Sequence, residues 1–256
     1  MSPAEIRAKI RNEEITGQTS GMCAGYAQAN LIILPKEQAD DFLLFAHRNP
    51  TSCPILGVGD MGSKSIPSLG KDADISTDIP KYRVYENGVM TGEYTRVDHL
   101  WRDDFIIFLI GCSFSFESEL LLADVPVRHI EEGCNVPMYN TNIPCEPAGI
   151  FHGNMVVSMR PMEALDAIKA IKITADMPRV HGAPVHFGDP SLIGIYDINK
   201  PDYGDKVTIN TNEVPVFWPC GVTPQAAVMS AKPPIAITHS PGHMFITDIK
   251  NVSLKN

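Results

Sequence analysis

The sequence predicts a mixed α/β chain of two lobes, with a mixed sheet and a smaller α/β domain inserted into the larger one. Three observations lead there. Segments of helical periodicity alternate with short β-branched runs, the usual mark of interleaved helices and strands. An Asn87-Gly88 pair between two strand-like runs signals a hairpin, so part of the sheet is antiparallel. Turns carrying thiols, imidazoles and carboxylates come from both the middle and the C-terminal third, and they must converge on one cleft to work together. The expected division is residues 1–125 plus 206–256 for the main lobe and 126–205 for the inserted one.

Taken in order, Ser2-Pro-Ala-Glu5 is a capping box with proline at the first helical position, opening a helix that stops by Gly17. Tyr26 to Leu34 reads as a strand. Pro35-Lys-Glu starts a helix that turns Phe42, Phe45 and Ala46 inward and ends before Asn49-Pro50. Cys53 to Val58 is a short strand, residues 59–81 are a Gly/Pro/Ser/Asp-rich loop, and Tyr82 to Thr95 is the hairpin. Val97, Leu100, Trp101, Phe105, Phe108, Leu109 and Cys112 recur at helical spacing, although Phe105 to Ile110 alone would also suit a buried strand. That places Gly111-Cys-Ser-Phe-Ser-Phe-Glu117 at a joint between two helices. Further on come a strand at Val156–Met159, a helix at Pro161–Ile173, strands near Val185 and Ile193–Ile198, and a short helix from Thr223-Pro224. Strands at Ile235–Thr238 and Met244–Ile249 close the chain. A faint echo links Val136-Pro-Met-Tyr139 with Val214-Pro-Val-Phe217.

Composition narrows the function. With 256 residues, 44% hydrophobic and 20% charged, the chain has ordinary globular content, and a net charge of −9 disfavours nucleic acid or an anionic membrane as partner. The N-terminus has no signal-peptide pattern and the longest apolar run is too short to span a bilayer. The six scattered cysteines, none in a CxxC pair, then read as reduced thiols of a cytoplasmic protein.

Gly57-Val-Gly-Asp-Met-Gly62 matches the GxGxxG dinucleotide pattern, but Ser63 to Gly70 contains Pro67 and cannot supply the helix whose N-terminus would hold a pyrophosphate. It reads as a surface loop. His239 and His243 stand four apart, yet Pro241-Gly242 between them rules out a regular helix. Metal ligation therefore stays only as an alternative, with Asp248 or His186 as a third ligand, and the expected cofactor is none.

The candidates for chemistry sit at turns. His186 with Asp189 suits a general acid/base whose tautomer is fixed by a carboxylate, and His186 is the first choice for that role. Cys220 and Cys112 each precede a helix start, where a thiolate is favoured; each also suits a small buried hydrophobe. Glu117 can act as an acid or simply complement a helix dipole. His239 and His243 complete the acid–base inventory. For substrate binding the candidates are Arg160 and Arg128 as carboxylate clamps, Cys112, Ser113 and Ser115, and Tyr139 and Asn142.

Strings along nearly the whole chain resemble the hydro-lyase family related to D-glutamate cyclase. They are Gly111 to Glu117, Val136 to Asn142, Val156 to Pro161, His181 to Pro190, Val214 to Gln225 and Ile237 to Met244, with Gly25 to Asn30 and Asp78 to Val84 earlier. Pro219 and Asn140 depart from that pattern, where a small and a basic residue are expected. The resemblance implies a two-lobed α/β protein and a lyase that eliminates water, for a D-glutamate cyclase the closure of D-glutamate to 5-oxo-D-proline. The implied partner is a small carboxylate, and self-association stays open. Two readings compete: a non-catalytic metabolite-binding regulator of amino-acid or oxoproline metabolism, and a metal-dependent hydrolase built on His239 and His243.

Overall fold

The capping box at the N-terminus forms as the sequence predicts. In the computed structural model, which describes residues 1–255, the Glu5 N–H donates to Ser2 Oγ at 3.3 Å and the Ser2 N–H to the Glu5 carboxylate at 2.7 Å. They open α1 (Pro3–Arg11). The elements that follow are β1 (Tyr26–Pro35), α2 (Lys36–Arg48), β2 (Ile55–Val58), β3 (Tyr82–Glu86), β4 (Val89–Tyr94), β5 (Phe105–Gly111), α3 (Phe114–Leu122) and α4 (Arg128–Glu131). Then come β6 (Met138–Pro144), β7 (Asn154–Glu163), α5 (Ala164–Ala175), β8 (His186–Phe187), β9 (Glu213–Pro219), α6 (Val222–Ala231), β10 (Ala236–His239) and β11 (Phe245–Lys250). No helix among the described residues is long and apolar enough to cross a membrane.

The strands form two sheets. One has seven strands in the order β2-β5-β1-β10-β3-β4, with β11 also paired to β1; the other has the order β6-β7-β9-β8. Every pairing is antiparallel, so the helix–strand alternation here does not mark parallel βαβ units. One apolar cluster joins both sheets, through Leu31, Ile107 and Leu109 on one side and Val216 and Trp218 on the other.

Residues 105–111 are a strand, not the helix their spacing suggests. All seven are buried, and they alternate between two cores: Phe105, Ile107 and Leu109 face one, Ile106, Phe108 and Ile110 the other. A sheet covered on both faces needs a continuous apolar run, which also contains the three- and four-residue steps of a helix. The segment around Cys112 is therefore a strand-to-helix turn. β9 lay hidden for a related reason, since Pro215 and Pro219 argue against a strand interior, yet Pro215 sits opposite Pro161 on β7, where neither needs a ladder donor. No strand forms at 193–198. A short 3-10 turn ends at Ile193, and Gly194, at φ +82°, turns the chain away. After β2 no helix follows the glycines. The Gly59 and Gly62 N–H groups donate to the Ile107 and Phe105 carbonyls at 2.9 and 2.8 Å, so these amides belong to the sheet.

The two sheets repeat one plan. In the first, β1 runs directly into α2, and β5, its antiparallel neighbour, leads through Cys112 into α3; in the second, β7 runs directly into α5, and β9 leads through Cys220 into α6. The match extends to register. Pro35 and Glu163 close the first strands and face Phe105 and Glu213, which open the partners. It extends to side chains as well: the Gln28 N–H donates to Ser115 Oγ at 3.2 Å, and the Val156 N–H to Thr223 Oγ1 at 3.0 Å. The outer strands correspond too, since β2 flanks β5 as β8 flanks β9. The chain therefore holds an internal structural repeat, in which β6, after α3, joins the second sheet, and β10 and β11, after α6, join the first. The echo between residues 136–139 and 214–217 is a different match; it equates β6 with β9, which hold unlike places.

Candidate active site

The strand-to-helix turns of the two repeats end on one pocket. Cys112 and Ser113 reach it from β5, Cys220 and Gly221 from β9, Asn30 from β1 and His239 from β10; Val136, Met138 and the Pro241–Met244 turn close it. Cys112, Cys220, Asn30 and His239 are all buried. The cavity is small, about 40 Å³, against the several hundred Å³ of a typical ligand site. Phe114 also lines a neighbouring cavity of about 400 Å³, formed by residues 20–28 and α3.

Neither α3 nor α6 has a side-chain cap at its N-terminus. The Ser115, Phe116 and Thr223 N–H groups close local turns onto the Cys112, Ser113 and Cys220 carbonyls, and the helix dipole at each start favours an anion. The Phe114 N–H lies against the Cys112 sulfur and the Val222 N–H against that of Cys220. Burial nevertheless raises both thiols, Cys220 to about 11 and Cys112 further. The Asn30 amide donates to the Gly111 carbonyl at 2.8 Å and packs so closely on Gly221 that a methyl group there would overlap it.

His239 is held neutral. Burial brings its pKa down to about 4; with the proton on Nε2, Nδ1 accepts from the Leu31 N–H at 3.0 Å, and the Gln225 amide nitrogen stands 3.2 and 3.4 Å from the two ring nitrogens. Gln225, on the first turn of α6, donates to the His239 carbonyl at 3.3 Å.

Arg160 does not face this pocket. It is fully buried, between Phe116 at 4.9 Å and Trp218 at 5.4 Å, and it pairs with the Glu117 carboxylate. It also donates to Ser158 Oγ at 3.0 Å and to Ser113 Oγ at 3.2 Å. Burial opposes the Glu117 charge, but Arg160 and then His129, at 3.3 Å, overcome it and hold the carboxyl at about 2. The expected clamp and the expected acid are thus each other's partners. Their role is to fix Ser113 and the start of α3.

The remaining expected residues are placed as follows. His186 lies on the edge strand β8, its ring tilted 34° against that of Phe217, and its Nε2 meets the Asp189 backbone carbonyl at 2.7 Å; the Asp189 carboxylate instead caps Ser191. The expected carboxylate–imidazole pair does not form, because the 3-10 turn at Pro190 claims that carboxylate as its N-cap. His243 adjoins the pocket through its chain neighbours but bonds back to the Pro241 carbonyl at 2.9 Å. Arg128 pairs with Glu131 and Glu213, Tyr139 donates to the Ile198 carbonyl at 2.7 Å, and Asn142 is exposed. None of these three lines the pocket. Ser115 is spent on the Gln28 N–H. Among the described residues no group of three or more His, Cys, Asp or Glu is arranged to hold a metal ion. Sequence reasoning passed over Asn30, His129, Ser158 and Gln225. Asn30 had a signal, as one of two buried amides, with Gln28, in an otherwise largely apolar strand.

These buried groups set the acid stability. His239 and His181 are both held at about 4 by burial, against 6.5 when unfolded. The unfolded chain binds more protons between those values, so stability falls as pH drops from about 6.5 to 4; each histidine accounts for about 3 kcal/mol. Glu117, at about 2 against 4.5, adds a second loss below pH 4.5. Denaturant midpoints should therefore drop steeply between pH 7 and pH 4. A flat profile there would contradict burial of the neutral imidazoles.

Residues 106–248, more than half the chain, match the family model described as D-glutamate cyclase. A protein of Clostridium beijerinckii named "Putative hydro-lyase" is 68% identical over 100% of this chain and 97% of its own. One of the same description from a Thermoanaerobacter species is 59% identical over 99% of this chain and 96% of its own. Among solved structures, a nitrogen repressor-like protein of Methanococcus jannaschii matches with TM-score 0.39 and 12% identity, covering 93% of this chain and 96% of that one. The chain belongs to the D-glutamate cyclase family.

Proposed function

We propose that this protein is a hydro-lyase that closes D-glutamate to 5-oxo-D-proline. The observation that carries the reading is the meeting of two uncapped helix N-termini, those of α3 and α6, on one buried pocket. A substrate with two carboxylates suits two such termini, one for each. The family match and the hydro-lyase relatives point to the same reaction class.

In the reaction the amine nitrogen bonds to the γ-carboxyl carbon, and one C–O bond of that carboxyl breaks. The ammonium gives up two protons and the γ-carboxylate one oxygen, so a single water leaves. The positive end of one helix holds the α-carboxylate, and that of the other stabilises the tetrahedral oxyanion. His239 Nε2–H hydrogen-bonds the departing oxygen, which leaves as water with the two protons that the ammonium gives up, relayed through the thiol. Cys112 and Cys220 are the other ionisable side chains on the pocket wall, so a thiolate takes the amine proton. Rotation of Phe114 would join the small pocket to its larger neighbour and admit the substrate.

The test is direct. Purified protein with D-glutamate should yield 5-oxo-D-proline, read by chiral chromatography with mass detection, while L-glutamate reacts more slowly. Absence of product from either enantiomer would sink the assignment.

A further inference from the structure

The structural repeat gives Cys112 and Cys220 equivalent positions: each follows the last residue of a matching strand, and each stands two residues before a matching helix. Their surroundings repeat as well. The carbonyls of the two cysteines accept from the Ser115 and Thr223 N–H groups at 3.1 and 2.9 Å. Both side chains line the same pocket, and each cysteine is one of the few ionisable groups there, His239 being the other. Two copies of one motif thus bring two thiols to a single pocket. Removing a proton from one face of a carbon and returning one to the other needs such a pair, one sulfur for each face.

We infer that Cys112 and Cys220 form a two-base pair that moves the α-proton of a small α-amino acid between its two faces, giving this protein an amino-acid racemase activity. The inference rests on the same pocket as the proposed cyclisation but not on that reaction, which leaves the Cα–H bond intact.

The step balances without a co-reactant. The thiolate of one cysteine takes the Cα proton, and the electron pair passes into the carboxylate, which the positive end of a helix stabilises. The thiol of the other cysteine gives its proton to the opposite face. The enantiomer leaves, and the two sulfurs have exchanged protonation states. A dry pocket suits this work, because a weakly acidic thiol becomes a stronger base toward carbon once ionised, and the helix N-terminus beside each sulfur favours the thiolate when it forms. The Glu117–Arg160 pair behind Ser113 compensates its own charge and leaves the thiols as the groups that change state.

The experiment is solvent exchange in D2O with D- and L-glutamate and D- and L-5-oxoproline. Cα deuterium is read by mass spectrometry and configuration by chiral chromatography. Wild type should label and invert at least one of these pairs. Cys112→Ser and Cys220→Ser should each lower inversion roughly 10²-fold or more, yet each should still label one enantiomer, and not the same one. A purely structural role would depress both enantiomers equally. Cys→Ala versions, with melting temperatures, separate misfolding from loss of a base. Cyclisation of D-glutamate without Cα deuterium in any of the four acids would overturn the two-base pair and leave the proposed cyclase standing. Labelling of both enantiomers by each serine variant would also overturn it. Labelling without 5-oxoproline would support it and count against the cyclase alone.

Discussion

Replacing Arg160 with methionine is expected to cost about 3–5 kcal/mol of folding stability, the usual penalty for leaving one partner of a buried ion pair uncompensated. Arg160 is fully buried and Glu117 nearly so. Methionine fills much of the arginine stem's volume between Phe116 and Trp218, so the loss comes from charge and hydrogen bonding rather than from a cavity. Glu117 would keep His129 at 3.3 Å, but a single imidazole does not replace a guanidinium that bonds three side chains. For a chain of this size the change amounts to a fall of roughly 6–20 °C in melting temperature. Removing both charges, as in Glu117→Leu with Arg160→Met, should recover a substantial part of the loss, because no unpaired charge then stays behind. A single variant that melts within about 2 °C of wild type would show that the pair is not an energetic keystone.

How far the sequence could be read depends on which forces are local. The α1 capping box, the 87–88 hairpin and α2 depend on neighbours a few residues away, and all three form as read. β5 could not be distinguished from a helix, because the second apolar layer that covers it comes from α2 and Phe151, distant in sequence. Within the site, Cys112 and Cys220 were legible as thiols before helix starts. The pairing of Arg160 with Glu117 was not, since it joins strand β7 to helix α3, 43 residues apart, and turns two apparent site residues toward each other. His186 and Asp189 misled for the opposite reason. Their closeness in sequence suggested a pair, but a local cap satisfied the carboxylate first. The structural repeat was the least visible of all. It is conserved in register and hydrogen bonding, while equivalent residues such as Phe114 and Val222, or Glu117 and Gln225, share little chemistry.

His239→Asn is expected to lower turnover on D-glutamate by roughly 10²–10⁴ while the protein stays folded. Asparagine can still accept from the Leu31 N–H, as Nδ1 does at 3.0 Å, so the β1–β10 pairing of Ile32 with Thr238 should survive. What it cannot reproduce is a polarised N–H at the reach of Nε2. The effect should fall on kcat more than on KM, because the carboxylates are held by helix N-termini that the change does not touch. The pH profile offers a second readout. With the imidazole held at about 4, wild-type activity should fall on the acid side as His239 takes up a proton and can no longer accept from Leu31. That limb should disappear from the residual activity of the variant, even as its stability at pH 5 improves through loss of a buried imidazole. A folded His239→Asn protein turning over within about threefold of wild type, with the acid limb intact, would remove His239 from the chemistry and leave the thiols and backbone amides to carry it.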